Sequence, residues 1–326
     1  MRKRQLPPVS VIVTVKNEER SIADLLESLL SQTVPPAEVV VVDGGSTDGT
    51  VHLVESYAGR GVPVRVLCLP GANISKGRNA AIAAAQNEVV ASTDAGVRLE
   101  PQWLEELARP FASADPPDVV CGFFRADPRS VFEAVLGAST LPHMREIDPS
   151  TFLPSSRSVA FRRSAWQRAG GYPEWLDYCE DVILDLRLRE LGCKFAFAPH
   201  ALVHFRPRPN LRAFFVQYYR YARGDGKAGL FAKRHLVRYV AYGVGPLAFL
   251  AGIWYKLAWL PLAVAAAAYL CTPYRRLLSS LPGASVSDKA MALALVPVVR
   301  LVGDVAKMVG YPVGLRWRWR HRGGHG

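Results

Sequence analysis

Twelve residues, Val39-Val-Val-Val-Asp-Gly-Gly-Ser-Thr-Asp-Gly-Thr50, carry the clearest signal for the fold of this chain. The run of valines favours a buried strand, and the Gly, Ser, Thr and Asp residues after it are typical of a tight turn that opens a helix. The same alternation of short β-branched segments with amphipathic segments extends on both sides, from residue 9 to about residue 205. It predicts an α/β fold in which crossover helices connect the strands of a mostly parallel sheet.

Four segments are predicted as strands and four as helices. The predicted strands are residues 9–15, 39–43, 62–69 and 88–94, and the predicted helices are residues 21–30, 48–57, 76–86 and 180–191. Ser21 and Asp24 form a capping signature for the first helix, and Gly192 ends the last one. Residues 119–158 are richer in Gly, Pro and aromatic side chains and break the alternation. The basic residues 1–4 and the short apolar run after them lack the cleavage site of a signal peptide, so this run is interpreted as a buried strand.

The composition narrows the class of protein. Half of the 326 residues are hydrophobic and the mean hydropathy is +0.09, which excludes a disordered or collagen-like chain and predicts that part of the chain faces lipid. Forty Lys and Arg against 28 Asp and Glu give a net charge of +12, which favours phosphate-bearing partners. The five cysteines are odd in number and scattered. They indicate neither a disulfide framework nor a thiolate zinc site, and they fit a reduced cytosol.

The composition changes after residue 205. Within residues 206–238, nine basic residues stand against one acid, Asp225, and they alternate with aromatic residues. This pairing is expected at a lipid headgroup boundary, although nucleic-acid binding uses the same residue types. Because the positive charge is concentrated beside apolar segments and not on the predicted α/β domain, we expect a membrane partner and no nucleic acid.

Two apolar stretches, residues 239–255 and 257–274, have lengths close to those of membrane-crossing helices. A third, residues 290–315, is interrupted by charged residues and is predicted to lie in the membrane interface. Buried helices of a soluble domain are the alternative. Basic residues at 275, 276 and 316–322 predict a cell-membrane protein whose catalytic domain is cytoplasmic. The predicted organisation is a catalytic domain over residues 1–205, a basic aromatic helical segment over 206–238, and a membrane-associated helical region over 239–326.

The glycine-rich turn after the valines fails both familiar phosphate-binding patterns. A dinucleotide fingerprint needs glycine at Ser46, and a phosphate-binding loop needs lysine at Thr50. The carboxylate of Asp43, at the end of the predicted strand, is instead suited to accept hydrogen bonds from a base or from ribose hydroxyls. A structural turn capped by Asp48 accounts for the same residues equally well.

A second carboxylate, Asp94 in Thr93-Asp-Ala-Gly96, ends another strand of the same predicted sheet. Parallel strands would place Asp94 and Asp43 along one carboxyl edge, where open α/β sheets bind ligands. Lys76-Gly-Arg-Asn79 begins the helix before that strand and adds cations suited to a diphosphate. The combination predicts a site for a nucleoside diphosphate.

Three further motifs carry polar side chains. Glu180 and Asp181 are adjacent acids at a predicted helix start, which suits a general base, although acids are common there because of the helix dipole alone. His204 lies in an apolar alternation, where a structural histidine is the commoner case. Gln217 and Tyr221 share one helical face with Arg220 beside them, and the same aromatic residues suit interfacial anchors.

In this order and spacing, the motifs resemble the family 2 glycosyltransferases of the GT-A fold over roughly residues 9–221. Val11-Ile-Val-Thr-Val-Lys-Asn-Glu18 looks like the first strand of that family, and Asp43 looks like its nucleoside-binding aspartate. Glu180-Asp181 resembles the ED motif, whose aspartate is the base, and Gln217-Tyr-Tyr-Arg-Tyr221 is close to QxxRW with Tyr in place of Trp. The donor contacts that the resemblance implies are Val15, Asn17, Glu18, Asp43, Lys76, Gly77, Arg78, Asp94, Gln217 and Arg220.

The sequence departs from the family pattern at Gly96. The resemblance matches Asp94 to the first acid of the metal-binding DxD motif, but glycine replaces the second acid. His204 lies where related sequences can place a metal-ligating histidine. The resemblance therefore implies a Mg²⁺ or Mn²⁺ ion held by Asp94 and His204 with water and diphosphate oxygens. The alternative is that Lys76, Arg78 and Arg220 neutralise the leaving diphosphate without a metal.

The resemblance implies a membrane-associated, inverting hexosyltransferase. A nucleotide-sugar donor would be attacked by an acceptor hydroxyl that Asp181 deprotonates. A lipid-linked acceptor or a cell-envelope glycan is expected because it would explain why the catalytic domain is tethered to the membrane. A catalytically silent nucleotide-sugar sensor or scaffold of a glycan assembly complex is the alternative, and the presence of Glu180-Asp181 disfavours it.

Overall fold

The structure is a computed structural model that describes residues 5–281 and 283–321. Residues 1–4, which precede the first predicted strand, and Arg322, the end of the predicted membrane-edge basic run, lie outside the described residues. The chain divides into two compact units. One unit contains residues 1–125 and 144–205, and the other contains residues 126–143 and 206–326.

The first unit is built on an eight-stranded sheet. Its strands are β1 (Val9–Val15), β2 (Glu38–Asp43), β3 (Val64–Cys68), β4 (Val89–Asp94), β5 (Val97–Leu99), β6 (Val119–Ala126), β7 (Val159–Arg162) and β8 (Phe195–Phe205), in the spatial order β3-β2-β1-β4-β7-β6-β8-β5. The pairs among β3, β2, β1 and β4 are parallel, whereas β7 pairs antiparallel with β4 and β6, and β5 pairs antiparallel with β8. The predicted parallel sheet is therefore half of a mixed sheet.

Helices of the first unit cover both faces of this sheet. The helices of the chain are α1 (Ile22–Leu30), α2 (Thr50–Glu55), α3 (Ile74–Ala84), α4 (Trp103–Ala108), α5 (Val131–Thr140), α6 (Arg163–Arg168), α7 (Glu180–Glu190), α8 (Leu211–Ala228), α9 (Ala232–Trp254), α10 (Trp259–Ser280) and α11 (Val286–Arg320). Short 3₁₀ turns lie at Arg109–Ala112, Met144–Glu146 and Lys256–Ala258. Because β1 and β2 are buried on both faces, they appear in the sequence as continuous apolar runs.

The core alternates between the two faces of the sheet with the period of two that strands impose. Val11 and Val13 pack into one cluster with residues of α1 and α4, whereas Ile12 packs into a second cluster with residues of α3, α6 and α7. The four predicted strands and the four predicted helices all form. Residues 119–158, in which no regular element is predicted, contain β6 and α5.

Two helix starts differ from the prediction. Ser21 precedes α1 but accepts no capping hydrogen bond, and its hydroxyl lies against Glu18, to whose backbone carbonyl and carboxylate it donates. The α3 helix begins at Ile74, before the predicted Lys76, because the side chain of Asn73 accepts a hydrogen bond from the Lys76 N–H at 2.9 Å. Asparagine is a strong N-cap, and it stands three residues ahead of the Ala-rich run that suggested the helix.

The second unit consists of α5 and α8 to α11. Its buried cluster joins α5 to α8, α10 and α11. The α8 and α11 backbones approach closely at glycines: a Cβ atom on Gly226 would lie 2.3 Å from the Tyr311 carbonyl oxygen, and one on Gly314 would lie 2.1 Å from that of Arg223. The predicted boundary after residue 205 coincides with a unit boundary. Residues 126–143 nevertheless group with the C-terminal unit, and the predicted boundary after residue 238 falls inside α9.

Two segments of this unit are long and apolar enough to cross a membrane. Ala232–Trp254 has a mean hydropathy of 1.5 and Lys256–Ser280 one of 1.4, and only 6% of each apolar window is buried. Helices of a soluble core would be mostly buried, so this exposure disfavours the soluble alternative. The third apolar stretch forms part of α11, which is the partner of α8 described above.

Candidate active site

Three loops lie side by side at the carboxyl ends of the parallel strands. At the ends of β1, β2 and β3, Val15 pairs with Asp43, and Asp43 pairs with Cys68. On the other side of β1, Asp94 at the end of β4 pairs with Thr14. The loops are joined by backbone hydrogen bonds from Gly44 N–H to the Val15 carbonyl and from Gly71 N–H to the Gly44 carbonyl. The sheet therefore places Asp43 and Asp94 on one edge, two strand spacings or about 10 Å apart.

The Asp43 carboxylate organises the turn that follows it. It is 3% exposed and accepts hydrogen bonds at 2.9 Å from the N–H groups of Gly45 and Ser46, and another from the Ser46 hydroxyl. Gly45 has φ +94°, a conformation that favours glycine. Asp43 thus has a turn-forming role in this structure, and its predicted contact with the nucleoside remains a prediction.

The predicted donor residues Asn17 and Glu18 hold the first loop against the second. The Asn17 side-chain oxygen accepts from Thr47 N–H at 2.8 Å, and Glu18 N–H donates to the Thr50 hydroxyl at 2.8 Å. Asn17 has φ +57° although it is not glycine. Such strained backbone is concentrated at functional sites. Asp48 accepts from Thr50 N–H at 3.1 Å, as the turn interpretation predicts, while Gly49 occupies the N-cap position of α2.

The residues of Lys76-Gly-Arg-Asn79 have four different environments. Lys76 is exposed. Gly77 allows α3 to pack closely on the sheet, because a Cβ atom there would lie 2.9 Å from the Thr14 methyl carbon. Asn79 accepts from Tyr172 N–H at 2.9 Å and donates to the Tyr172 carbonyl at 2.9 Å, so it holds the turn before α7. Arg78 is the buried charged residue of the four, and its guanidinium pairs with two carboxylates.

Arg78 bridges two carboxylates. Its guanidinium is 3% exposed and donates to Glu180 at 2.6 Å and to Asp94 at 2.9 Å. Burial alone would lower the pKa of Arg78, but the charges of Asp94 and Glu180 outweigh burial and raise it. Arg78 is therefore charged at any pH at which the protein folds. It connects the donor edge of the sheet to the start of α7, and its predicted contact with the donor diphosphate remains a prediction.

The two adjacent acids at the start of α7 have different surroundings. Glu180 is buried, and burial together with the neighbouring Asp181 charge raises its pKa to about 7 against the opposing effect of Arg78. Asp181 is partly exposed, and its carboxylate accepts from Val182 N–H at 2.9 Å. Cys179, at the N-cap position, has φ +65°. This strained entry turns Glu180 toward Arg78 and leaves Asp181 as the more accessible acid of the pair.

Two further charged residues lie near these acids: Arg157, which the sequence prediction missed, and Asp185, which it names only as a substitute for the base. Arg157 Nε lies 3.4 Å from Asp94, and its guanidinium stacks 4.5 Å above the Phe205 ring. Nothing in the irregular segment around Arg157 indicates this placement. Asp185 is 5% exposed, and burial followed by the Asp181 charge raises its pKa well above the ordinary value. The i to i+4 spacing from Asp181 is the signal that identifies Asp185.

The two predicted metal ligands are not equally available. Asp94 is partly exposed at the sheet edge. Its contact with Arg157, at 3.4 Å, is longer than its contact with Arg78, at 2.9 Å, so the oxygen near Arg157 is the one more easily given to another partner. His204 Nε2 lies 2.5 Å from a Glu100 carboxylate oxygen. Within residues 5–281 and 283–321, no group of three or more His, Cys, Asp or Glu residues is arranged to hold a metal. Asp94 is thus the candidate ligand that the structure leaves partly exposed, and the contact of either residue with a metal remains a prediction.

Gln217 and Arg220 lie on α8, in the second unit. Gln217 donates to the Tyr221 hydroxyl at 3.0 Å, which agrees with the predicted common helical face. Their contact with a donor remains a prediction. The first unit brings together the loops of Val15, Asn17, Glu18 and Asp43, and it connects Arg78, Asp94 and Glu180 by ion pairs.

Comparison with known proteins gives matches along most of the chain. Residues 10–168 match the family described as Glycosyl transferase family 2, and residues 143–285 match Glycosyl transferase family group 2. The succinoglycan biosynthesis protein ExoA of Rhizobium meliloti is 29% identical over 278 residues, which cover 80% of this chain and 83% of ExoA. The pre-mycofactocin glycosyltransferase of Mycobacterium tuberculosis is 32% identical over 247 residues, 70% of this chain and 48% of that protein. The uncharacterized glycosyltransferase EpsJ of Bacillus subtilis is 27% identical over 63% of this chain and 62% of its own length.

Solved structures share the fold. A mannosyltransferase from Pyrobaculum calidifontis, in complex with GDP-Man and Mn²⁺, superimposes with a TM-score of 0.57 at 23% identity and covers 96% of this chain and 88% of that one. A fragment of Staphylococcus aureus TarS in complex with UDP-GlcNAc gives a TM-score of 0.51 at 18% identity over 96% of this chain and 92% of the fragment. The described chain thus has one architecture in common with two proteins that were solved with nucleotide sugars.

Proposed function

Because this chain belongs to the family 2 glycosyltransferases and has their GT-A fold, we propose that it is a membrane-associated, inverting hexosyltransferase. It moves a sugar from a nucleotide-sugar donor to a hydroxyl group of a lipid-linked acceptor or a cell-envelope glycan. The match to a succinoglycan biosynthesis protein over most of both chains supports a glycan product. The exposed apolar surface of α9 and α10 supports attachment to the cell membrane. The basic residues beside these helices, such as Arg275 and Arg276, favour a cytoplasmic side for the catalytic unit.

The reaction is a displacement at the anomeric carbon. Asp181 takes the proton of the acceptor hydroxyl as that oxygen forms its bond to the anomeric carbon. The bond between this carbon and the diphosphate oxygen breaks, and its electron pair leaves with the nucleoside diphosphate. Attack from the face opposite the leaving group inverts the anomeric configuration. Asp43 and the loop of Asn17 and Glu18 hold the nucleoside, and Lys76 offsets the charge of the diphosphate.

A divalent cation, Mg²⁺ or Mn²⁺, is proposed as the cofactor, with Asp94 as its protein ligand and His204 as a second candidate. Such an ion, when bound, offsets the negative charge that develops on the leaving diphosphate. Arg78 holds one oxygen of Asp94, which orients the carboxylate toward the sheet edge. His204 could contribute only if it exchanged its hydrogen bond to Glu100.

One observation carries this proposal: the adjacent acids at the start of α7 are divided between two environments. Glu180 is buried in an ion pair with Arg78, which also holds Asp94, while Asp181 is accessible beside it.

A panel of nucleotide sugars in a thermal-shift assay tests the donor half of the proposal. A true donor at a hundredfold excess over its dissociation constant should stabilise the protein by about 2.7 kcal/mol. Stabilisation by no member of the panel would contradict the proposed function.

The attachment to membranes is tested by fractionation. Full-length protein from cells lysed without detergent should sediment with membranes and resist washing at alkaline pH, because α9 and α10 expose large apolar side chains such as Leu247, Leu250 and Leu260. Detergent should release it. If the protein stayed in the supernatant, or if the alkaline wash released it, the membrane proposal would be wrong.

The role of Asp94 is tested by Asp94→Asn, which keeps an oxygen that can accept from Arg78 but removes the charge. Binding of a nucleoside diphosphate, measured by calorimetry with and without Mn²⁺, should lose its dependence on the metal. His204→Ala should weaken metal-dependent binding by about 10- to 100-fold if His204 is a ligand. Asp115→Asn is the matched control, because Asp115 forms an exposed pair with Lys194. Wild-type donor binding that EDTA leaves unchanged would favour neutralisation of the diphosphate by side-chain cations alone.

A further inference from the structure

A buried polar cluster lies inside the second unit and contains none of the residues assigned above. Asp304 on α11 is 6% exposed and accepts hydrogen bonds from Arg238 Nε at 2.8 Å, from the Tyr242 hydroxyl at 3.2 Å and from the Tyr269 hydroxyl. The cluster therefore joins α9, α10 and α11. Ionisable side chains that face the interior of membrane-associated helices are costly and usually functional.

The cluster contains more positive than negative charge. Three cations, Arg238, Arg300 and Lys307, lie around Asp304, and the second nearby acid, Asp225, accepts a hydrogen bond from His235 at 3.1 Å. Lys307 Nζ is 3.9 Å from Asp304, too far for a hydrogen bond. Burial and the charge of Arg238 lower the pKa of Lys307 to about 8, which agrees with an excess of cations.

Arg300 shows most directly that the cluster has too few hydrogen-bond acceptors for its cations. Its guanidinium stacks 4.0 Å above the Tyr269 ring, and its buried Nε has no hydrogen-bond partner among the described residues. The Asp304 carboxylate already accepts from Arg238 and two tyrosines. A buried donor on a cation is expensive to leave unpaired, so an anion with several acceptor oxygens would complete this cluster.

The position of the cluster identifies the class of anion. Arg238 lies about 24 Å along α9 from the connection to α10 and only about 9 Å from the end at which α9 begins. That end carries Lys233 and Arg234, as is expected at a headgroup layer. We propose that Arg238, Arg300 and Lys307 form a binding site for the phosphate group of an anionic lipid. This inference rests on the proposed membrane attachment but on none of the donor-site residues.

The test measures retention of a phosphate lipid by full-length protein in neutral detergent. Two lipids, a polyprenyl monophosphate and phosphatidylglycerol, are compared as ligands with the uncharged polyprenol. Inorganic phosphate is added as a soluble competitor, to separate recognition of the phosphate group from recognition of the lipid chain. Wild-type protein should bind at least one phosphate lipid about tenfold or more tightly than the polyprenol. Competition by inorganic phosphate would show that the phosphate group alone accounts for recognition, and its absence that the lipid chain contributes.

The variants distinguish a ligand site from a structural contact. Arg300→Gln and Lys307→Gln should each weaken binding of the phosphate lipid by about tenfold or more, whereas Arg300→Lys, which keeps the charge but loses the planar guanidinium, should bind with an affinity between those of Arg300→Gln and the wild type. Lys289→Gln is the matched control, because Lys289 is an exposed cation on the same helix. Asp304→Asn should preserve or strengthen binding, since it removes the competing carboxylate while an oxygen remains for the tyrosines. A purely structural cluster predicts the reverse, with Asp304→Asn the most damaging change.

The proposal is overturned if the wild type binds phosphate lipids no better than the polyprenol, or if Arg300→Gln and Lys307→Gln bind like the control. Thermal shift by the nucleotide sugar is measured on the same preparations. It reports the donor site, so failure of the lipid site and failure of the glycosyltransferase assignment give different results.

Discussion

Asp181→Asn is expected to lower sugar transfer by about 10² to 10⁴ while leaving the affinity for the nucleotide sugar close to that of the wild type. Asparagine keeps the size of the side chain and the oxygen that accepts from Val182 N–H, but it cannot take the proton of the acceptor. The effect should appear in kcat. Initial rates on a verified acceptor, together with donor binding measured by calorimetry, separate the two quantities.

Two further variants on the same helix serve as controls. Glu190→Gln changes an exposed acid at the far end of α7 and should transfer sugar like the wild type. Glu180→Gln should cost less activity than Asp181→Asn, because Glu180 is directed at Arg78. Near-normal turnover by Asp181→Asn would show that the assigned mechanism is wrong. Loss of donor binding as well would make Asp181 a donor contact, and the base would then be sought at Glu180 and Asp185.

Arg78→Met is expected to destabilise the first unit by about 3 to 5 kcal/mol, the usual effect of removing one partner from a buried ion pair. Methionine fills a similar volume but leaves Asp94 and Glu180 without their shared cation. At roughly 2 to 4 °C per kcal/mol, the melting midpoint should fall by about 10 °C. Donor binding and transfer should fall too, because both Asp94 and the start of α7 lose a fixed orientation.

The destabilisation by Arg78→Met should depend on pH. The pKa of Glu180 is raised to about 7 in the folded wild type, above its ordinary value of 4.5, so the folded state binds the proton more tightly than the unfolded state. Stability from this group therefore falls as the pH rises from 4.5 to 7. Without Arg78 the same carboxyl is harder to ionise. The difference in melting midpoint between variant and wild type should thus be smaller near pH 5 than near pH 8.

The matched control is Arg109→Met, which removes an exposed cation from Glu105 and Glu106 and should cost no more than about 1 kcal/mol. Arg78→Lys keeps a charge but not the two-armed geometry, so its midpoint should lie between those of the wild type and Arg78→Met. Equal midpoints for Arg78→Met and Arg109→Met at pH 8 would contradict the bridging role of Arg78.

The parallel half of the sheet was predictable because its signal is local. The valine runs of β1 and β2 are buried on both faces, so periodicity and residue type alone locate these strands. The edge that carries Asp43 and Asp94 follows from strand direction, since the carboxyl ends of parallel strands share one side. The antiparallel strands β5 to β8 were not predicted, because three of them pair with strands distant in the sequence and β5 has only three residues.

The division of roles among charged side chains could not be obtained from local patterns. Lys76-Gly-Arg-Asn79 suggests cations for a diphosphate, yet only the packing of α3 against the sheet and α7 turns Arg78 inward, toward an acid 102 positions further along the chain. The same packing separates Glu180 from Asp181 and brings Arg157 to Asp94. Residue type and spacing determine which strands and turns form, because those depend on neighbours along the chain. Burial and ion pairing depend on neighbours in space, so only the folded chain decides which charge is neutralised and which remains accessible for chemistry.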